Sequence, residues 1–143
     1  MRNARVMTVL FLTLTLMPMI STTARAHHDP GPCDIHWRRA YYDHGQTGPI
    51  ADLIRCAVGR WPVAGGVTKA LSVARCESGL RPDADAGVSE GLYQHVKTYW
   101  PARADRWLWP AWQIRPSIWN ARAQAIVTMR MVHAWGWGAW SCA

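Results

Sequence analysis

The chain has 143 residues, a length that accommodates one compact domain with a short additional segment and excludes large barrel and multidomain enzymes. Its 16 Lys and Arg against 9 Asp and Glu give a net charge of +7. Because 50% of the residues are hydrophobic, the composition is not that of a disordered protein.

Residues 1–26 have the pattern of a secretory signal peptide. Arg2 and Arg5 precede an apolar run, and Ala24-Arg25-Ala26 matches a cleavage site. The run is shorter than the roughly 20 residues of a spanning helix, although an uncleaved anchor remains an alternative. Cleavage after Ala26 removes three of the 16 basic residues and leaves 13 against 9 acidic ones, or +4. We therefore expect a secreted protein that binds no nucleic acid and has no stable membrane insertion after cleavage.

Four cysteines follow the predicted cleavage site, and none of them forms a C-x-x-C pair. An even number in a small secreted chain predicts two disulfides with three possible connectivities. The favoured pairing joins Cys33 to Cys56 and Cys76 to Cys142.

A metal site is the alternative use of one of these cysteines. It would combine Cys33 with His27, His28 and His36, which are close together in the chain. Their spacing matches no standard zinc pattern, so we expect neither a metal nor a cofactor.

The first predicted elements of the mature chain are three helices. A short one covers residues 35–42, and a longer one follows Pro49 and stops before Pro62. The apolar face of the longer helix comprises Ile50, Leu53, Ile54, Ala57, Val58 and Trp61. Thr68 is the predicted N-cap of the third helix, which ends near Gly79.

The second half of the chain alternates loops and helices. Residues 79–91 are rich in Gly, Pro and Asp and predict a loop, and residues 92–100 predict a helix. Pro101 begins a new element, residues 107–119 form an irregular Trp-rich segment, and a last helix runs from Ser117 or Asn120 to Gly136. Because no set of strands is indicated, the predicted class is mainly α. The predicted organisation is an N-terminal extension over residues 27–60 and one domain over residues 61–143.

Only two glutamates occur in the chain, Glu77 and Glu90. Glu77 lies at a predicted helix end, beside a cysteine. A partly desolvated carboxyl group there would have the raised pKa that a general acid needs, although Arg75 and Arg81 would oppose the shift. A surface glutamate without a chemical role is the alternative.

Three motifs that occur in order within residues 60–143 resemble those of a known enzyme family. They are Cys76-Glu77-Ser78-Gly79-Leu80, Gly91-Leu92-Tyr93-Gln94, and the Gly-Trp-Gly-x-Trp-x-Cys pattern over residues 136–142. The set resembles lytic transglycosylases with the goose-type lysozyme-like fold, in particular small secreted actinobacterial and phage cell-wall enzymes. The resemblance implies a single lysozyme-like domain with a disulfide between Cys76 and Cys142.

The resemblance also implies roles for individual residues. Glu77 matches the catalytic acid, Ser78 the serine that orients substrate or acid, and Gln94 the glutamine that lines the glycan groove. Tyr93 occupies the neighbouring aromatic position. Asn120 matches an asparagine that begins a helix and is counted among the substrate-binding candidates.

Further candidates come from the residues themselves. Tyr99 and Trp100 follow the Gln94 segment and are candidate groove walls, because flat aromatic rings stack on sugar faces. Arg103 and Arg106 would favour an anionic polymer by general attraction. His95 has the chemistry of a proton shuttle but is interpreted as a neighbour of the site.

The activity implied by the resemblance is cleavage of the β-1,4 bond between N-acetylmuramic acid and N-acetylglucosamine in peptidoglycan glycan strands, by a monomer associated with the cell wall. A lytic transglycosylase needs one carboxyl group, whereas a muramidase-type hydrolase usually uses two. Candidates for a second carboxyl group are Asp83, Asp85, Glu90 and Asp105. A non-catalytic wall-binding module on the same fold is the other alternative, and a basic antimicrobial or nucleic-acid binder is a weaker one.

Overall fold

A computed structural model of the chain describes residues 31–143. The predicted signal peptide over residues 1–26, together with His27 and His28, lies outside this range. The helices are α1 (Arg38–His44), α2 (Gly48–Arg60), α3 (Gly66–Ser78), α4 (Trp100–Trp107) and α5 (Ala121–Trp135). Two short strands, β1 (Ser89–Glu90) and β2 (His95–Val96), pair in antiparallel fashion. The prediction of a mainly α protein with two disulfides is confirmed.

Helix α5 is the centre of the fold. Its sequence is apolar on nearly every face, and ten of its residues are buried, among them Ile126, Val127 and Met129. A helix that is apolar all round is stable only when other elements surround it. Helices α2 and α4 both pack against α5, and α3 packs against α2.

Helix α2 has the predicted position and face. Pro49 lies in its first turn, and Ile50, Leu53, Ile54 and Ala57 have no exposed surface. This spacing of three and four residues puts one apolar stripe against α3 and α5. The buried residues of α2 belong to the same core as those of the later helices, so the described part of the 27–60 segment packs with residues 61–143.

The two disulfides have the favoured pairing. Cys33–Cys56 joins the segment before α1 to α2, and Cys76–Cys142 joins the end of α3 to the C-terminal segment. Cys33 is therefore not free to act in the alternative metal site. Among residues 31–143, no helix combines the length and the apolar character that crossing a membrane requires.

Two local predictions are wrong. Thr68 does not cap α3, because the helix begins two residues earlier, at Gly66. The residue before the helix, Gly65, has a left-handed φ of +77°. Residues 92–100 do not form one helix, because Gly91 and Gln94 have φ values of +80° and +47°, outside the helical region. That stretch instead forms a turn, β2 and a short 3₁₀ helix, Lys97–Tyr99, before α4 begins.

Boundaries of the other helices are close to the predictions. Helix α1 starts three residues later than predicted and ends at His44. Helix α5 follows Asn120, whose side-chain oxygen accepts a hydrogen bond from the Arg122 N–H, and it ends at Trp135, directly before Gly136. Asparagine at this position satisfies a backbone donor that the helix itself leaves unpaired.

Candidate functional site

Glu77 lies in the last turn of α3 and is half-buried. The helix ends directly after it, because Gly79 adopts the left-handed conformation with φ of +66°. The carboxyl group is therefore carried by the rigid end of a helix whose other face is in the core. A group held in this way has few alternative positions, as a proton donor requires.

The C-terminal segment approaches the Glu77 carboxyl group directly. The Cys142 N–H donates a hydrogen bond to Glu77 Oε1 at 3.4 Å. Cys142 is also bonded covalently to Cys76, the residue before the glutamate. The disulfide thus holds a backbone donor next to the acid.

Trp140 attaches the same C-terminal segment to the Gly91-Leu92-Tyr93-Gln94 segment. Its indole N–H donates to the Tyr93 carbonyl oxygen at 2.9 Å. Only 8% of the residue's surface is exposed, and its ring packs edge-on against His95. Trp140 therefore connects the third motif of the sequence to the second.

The segment from Gly91 to Gln94 is itself held by α5. Gln124, which is completely buried, accepts a hydrogen bond from the Tyr93 N–H at 2.9 Å, and its amide nitrogen donates to the Ile118 carbonyl oxygen. Only glycine fits at position 91, because a Cβ there would lie 2.6 Å from the Ile118 carbonyl oxygen. Glycine also accommodates the φ of +80° without strain.

The Gln94 side chain has an unused acceptor. Its Nε2 donates to the carbonyl oxygens of Gly91 at 2.9 Å and Ala84 at 3.3 Å, and these two acceptors determine the orientation of the amide. Its Oε1 is buried with no hydrogen-bond partner among residues 31–143. A buried acceptor without a donor costs about 1–3 kcal/mol, and the φ of +47° at this non-glycine residue adds strain. Uncompensated costs of this kind are typical of ligand-binding positions.

Glu77 and Gln94 share one cleft of about 410 Å³. Its walls come from the end of α3, the β1–β2 hairpin and the C-terminal segment, and its lining residues are Glu77, Ala86, Ser89, Gln94, Val96, Ala139, Trp140 and Ser141. The tertiary structure thus brings together two residues from different motifs. Glu77 is the only carboxylate among the described residues that line this cleft.

Ser78 lies behind the cleft wall and holds two motifs together. Its hydroxyl is 2.8 Å from the Leu92 carbonyl oxygen and 3.1 Å from that of Ala74, and it accepts a hydrogen bond from the Arg81 N–H. These contacts fix the end of α3 against the Gly91-Leu92-Tyr93-Gln94 segment. Ser78 therefore holds Glu77 in place relative to Gln94 and does not itself line the cleft.

Four further residues predicted to bind substrate lie away from the cleft. Tyr93 is completely buried, and its hydroxyl donates to the Ala70 carbonyl oxygen. Trp100 is also buried and donates to the Pro116 carbonyl oxygen, so neither ring offers a face to a ligand. Asn120 is the buried N-cap of α5. Tyr99 is exposed but lines a neighbouring groove.

The candidates for a second carboxyl group have other contacts. Asp83 accepts a hydrogen bond from the Tyr41 hydroxyl at 2.6 Å, and desolvation together with this contact raises the pKa of Tyr41 to about 12. Asp85 accepts from the Gly87 N–H in a tight turn, which lowers the pKa of the aspartate. The buried Glu90 is paired with Lys97, and Asp105 is an exposed residue of α4.

His95 is a neutral structural residue. Only 1% of its surface is exposed, Arg103 Nη1 lies 2.9 Å from its Nδ1, and Thr128 Oγ1 lies 2.8 Å from its Nε2. Because an arginine can only donate, His95 Nδ1 accepts and Nε2–H donates to Thr128. Burial and the nearby Arg103 charge lower the pKa of His95 to about 3, so it cannot exchange a proton near neutral pH. Its interpretation as a neighbour of the site agrees with this geometry.

Sequence reasoning did not identify Gln124 or assign a site role to Trp140. Gln124 is a polar residue among the apolar residues of a central helix, and such a residue must have internal hydrogen-bond partners. The unusual position of Gln124 could therefore have been recognised from the sequence. Its partner, the Tyr93 N–H, could not. Trp140 belongs to the quoted C-terminal motif, although nothing local distinguishes it from the nine other tryptophans.

Comparison with known proteins adds no family assignment. No family model matches the chain, and neither a curated protein nor a solved structure matches it. The functional inference therefore depends on the motifs and on the geometry of the cleft.

Proposed function

We propose that this protein is a secreted enzyme that cleaves peptidoglycan glycan strands between N-acetylmuramic acid and N-acetylglucosamine, as a lytic transglycosylase with a lysozyme-like domain. The observation that supports this proposal most directly is the presence of Glu77 and Gln94 in one cleft. The cleft is about 410 Å³ in volume and open to solvent on one side, which suits part of a polymer better than a small enclosed ligand.

The proposed reaction needs only one carboxyl group. Protonated Glu77 donates its proton to the glycosidic oxygen while the bond from that oxygen to C1 of the muramic acid breaks. The C6 hydroxyl of the same sugar then forms a bond to C1, and its proton passes to the Glu77 carboxylate. The acid is regenerated, no water is consumed, and the product carries a 1,6-anhydro ring.

Neighbouring groups orient the reactants. The Cys142 N–H holds Glu77 Oε1, while the disulfide from Cys76 keeps this donor in place. Gln94 lines the cleft beside Glu77, where its side chain contacts a sugar hydroxyl or acetamido group of the bound strand.

A muramidase-type hydrolase is the first alternative. Enzymes of that kind usually place a second carboxyl group about 5–10 Å from the first, to act on water or on the sugar. Apart from Glu77, the described lining of the cleft offers no Asp or Glu. This observation favours the transglycosylase over the hydrolase.

The test is digestion of purified peptidoglycan, followed by mass analysis of the released fragments. The parent protein is expected to release fragments with 1,6-anhydro ends. Glu77→Gln preserves the acceptor for the Cys142 N–H but removes the acid, and we expect a loss of about 10²–10⁴-fold in rate.

Asp105→Asn is the matched control, since it removes an exposed carboxylate of α4 that does not line the cleft. It is expected to retain the activity of the parent. Equal activity of Glu77→Gln and the parent would refute the mechanism, and reducing ends in place of anhydro ends would indicate the hydrolase. Binding without cleavage by the parent would indicate the non-catalytic wall-binding module.

A further inference from the structure

A second groove, of about 370 Å³, lies beside the Glu77 cleft. It is formed by the 3₁₀ turn before α4, by α4 and by the end of α5, and it includes Tyr99, Arg103, Arg106, Trp107 and Trp135. Ala139 lines both this groove and the Glu77 cleft. The two depressions are therefore neighbours that share a wall at Ala139.

Two large aromatic rings of this groove are exposed to solvent. Tyr99 is 59% exposed and Trp135 is 60% exposed, whereas the nearby Trp100 and Trp140 are buried. Trp135 is held edge-on against Trp107, with 5.2 Å between the ring centroids, so its orientation is defined by packing. Exposed and oriented rings beside a groove are typical of a binding surface.

The charge of the groove is positive. The Arg106 guanidinium lies 5.2 Å from the ring centroids of both Trp107 and Trp135, and the Arg103 guanidinium lies 5.6 Å from that of Tyr99. The Arg103 guanidinium also donates to the buried His95, so the cation available to a ligand is Arg106, which stacks on both tryptophans. No Asp or Glu is among the described residues that line the groove. The complementary ligand has flat apolar faces and carries negative charge.

We propose that this groove binds further sugar units of the same glycan strand, whose stem peptides carry carboxylates, beyond the pair of sugars whose bond is cleaved. This inference rests on the proposed function, because the shared wall at Ala139 connects the groove to the cleft of Glu77. Tyr99 and Trp135 stack on sugar faces, and Arg106 attracts the carboxylates. The groove thereby sets the preference for a long charged polymer over a short or neutral one.

The experiment measures binding alone, in the Glu77→Gln background, with insoluble peptidoglycan and with chitin as an uncharged glycan of similar backbone. Trp135→Ala and Tyr99→Ala are each expected to weaken peptidoglycan binding about tenfold. Arg106→Gln is expected to weaken binding to peptidoglycan but not to chitin. Thermal melting of each variant shows whether the fold is intact.

Trp109→Ala is the matched control, because Trp109 is 63% exposed but does not line this groove. It is expected to bind as the background protein does. The proposal is overturned if Trp135→Ala and Tyr99→Ala both bind normally, or if Trp109→Ala weakens binding equally. A third outcome is that the parent protein releases no fragments while the groove variants still lose binding. That result would refute the proposed reaction and would still support the sugar-binding groove.

Discussion

Replacing Cys76 and Cys142 together by serine removes the covalent link between α3 and the C-terminal segment. The two cysteines are 66 residues apart, and closing a loop of this length stabilises the folded protein by about 4 kcal/mol in the chain-entropy model. The double replacement of Cys33 and Cys56, which are 23 residues apart, provides the comparison at about 3 kcal/mol. The two variants are therefore expected to lose similar amounts of stability.

Their effects on the cleft are expected to differ strongly. Cys142 donates to the Glu77 carboxyl group, and Trp140 and Ser141 line the cleft, so loss of the Cys76–Cys142 bond loosens one wall. The Trp140 hydrogen bond to Tyr93 remains to hold that segment, but only non-covalently. Loss of the Cys33–Cys56 bond frees a segment that does not line the cleft.

The assay combines urea denaturation with peptidoglycan cleavage measured in the cold, where circular dichroism shows both variants to be folded. We expect similar free energies of unfolding and at least a tenfold larger loss of cleavage rate for the Cys76→Ser/Cys142→Ser variant, because small displacements in an active site are costly. Equal losses of rate in the two variants would refute the argument that the disulfide acts on the site. Reduction of the parent with a mild thiol should also lower its melting temperature, and an unchanged melt would contradict the stability estimate.

Two other predictions concern stability. Gly91→Ala combines a φ of +80° with a Cβ 2.6 Å from the Ile118 carbonyl oxygen, so it should cost about 3 kcal/mol by urea denaturation. Gly87→Ala has a similar φ of +81° but open space around it, so it should cost only about 1 kcal/mol. Equal costs for the two variants would show that the clash at position 91 does not destabilise the protein. Below pH 6.5 the unfolded chain binds a proton that folded His95, with a pKa of about 3, does not bind. Stability should therefore fall by up to about 1.4 kcal/mol per pH unit down to about pH 3. His95→Gln should remove this slope in denaturation series at several pH values, and an unchanged slope would show that His95 is not its source.

Helix positions in this chain were predictable where short-range rules decide them. Pro49 in the first turn of α2, Asn120 before α5 and Gly136 after it each act within a few residues of their own position. The prediction failed for residues 92–100, whose helical pattern conflicts with the left-handed conformation of Gln94. That conformation depends on contacts of the segment with α5 and the C-terminal segment, which lie far away in the chain.

The candidate acid could be identified from Glu77 and its motif, and the presence of two disulfides from the number and context of the cysteines. The environment of the acid could not be predicted from the sequence, because it is formed by contacts between residues that are far apart in the chain. The Cys142 N–H lies 65 residues from Glu77, and the Trp140 indole lies 47 residues from the Tyr93 carbonyl oxygen it contacts. Composition likewise does not distinguish the buried Trp100 from the exposed Trp135, since both are apolar rings with one donor. The sequence by itself determined the helical class, the presence of two disulfides and the candidate acid. Only the tertiary structure decided which side chains share the cleft, because burial and proximity arise from the packing of distant segments.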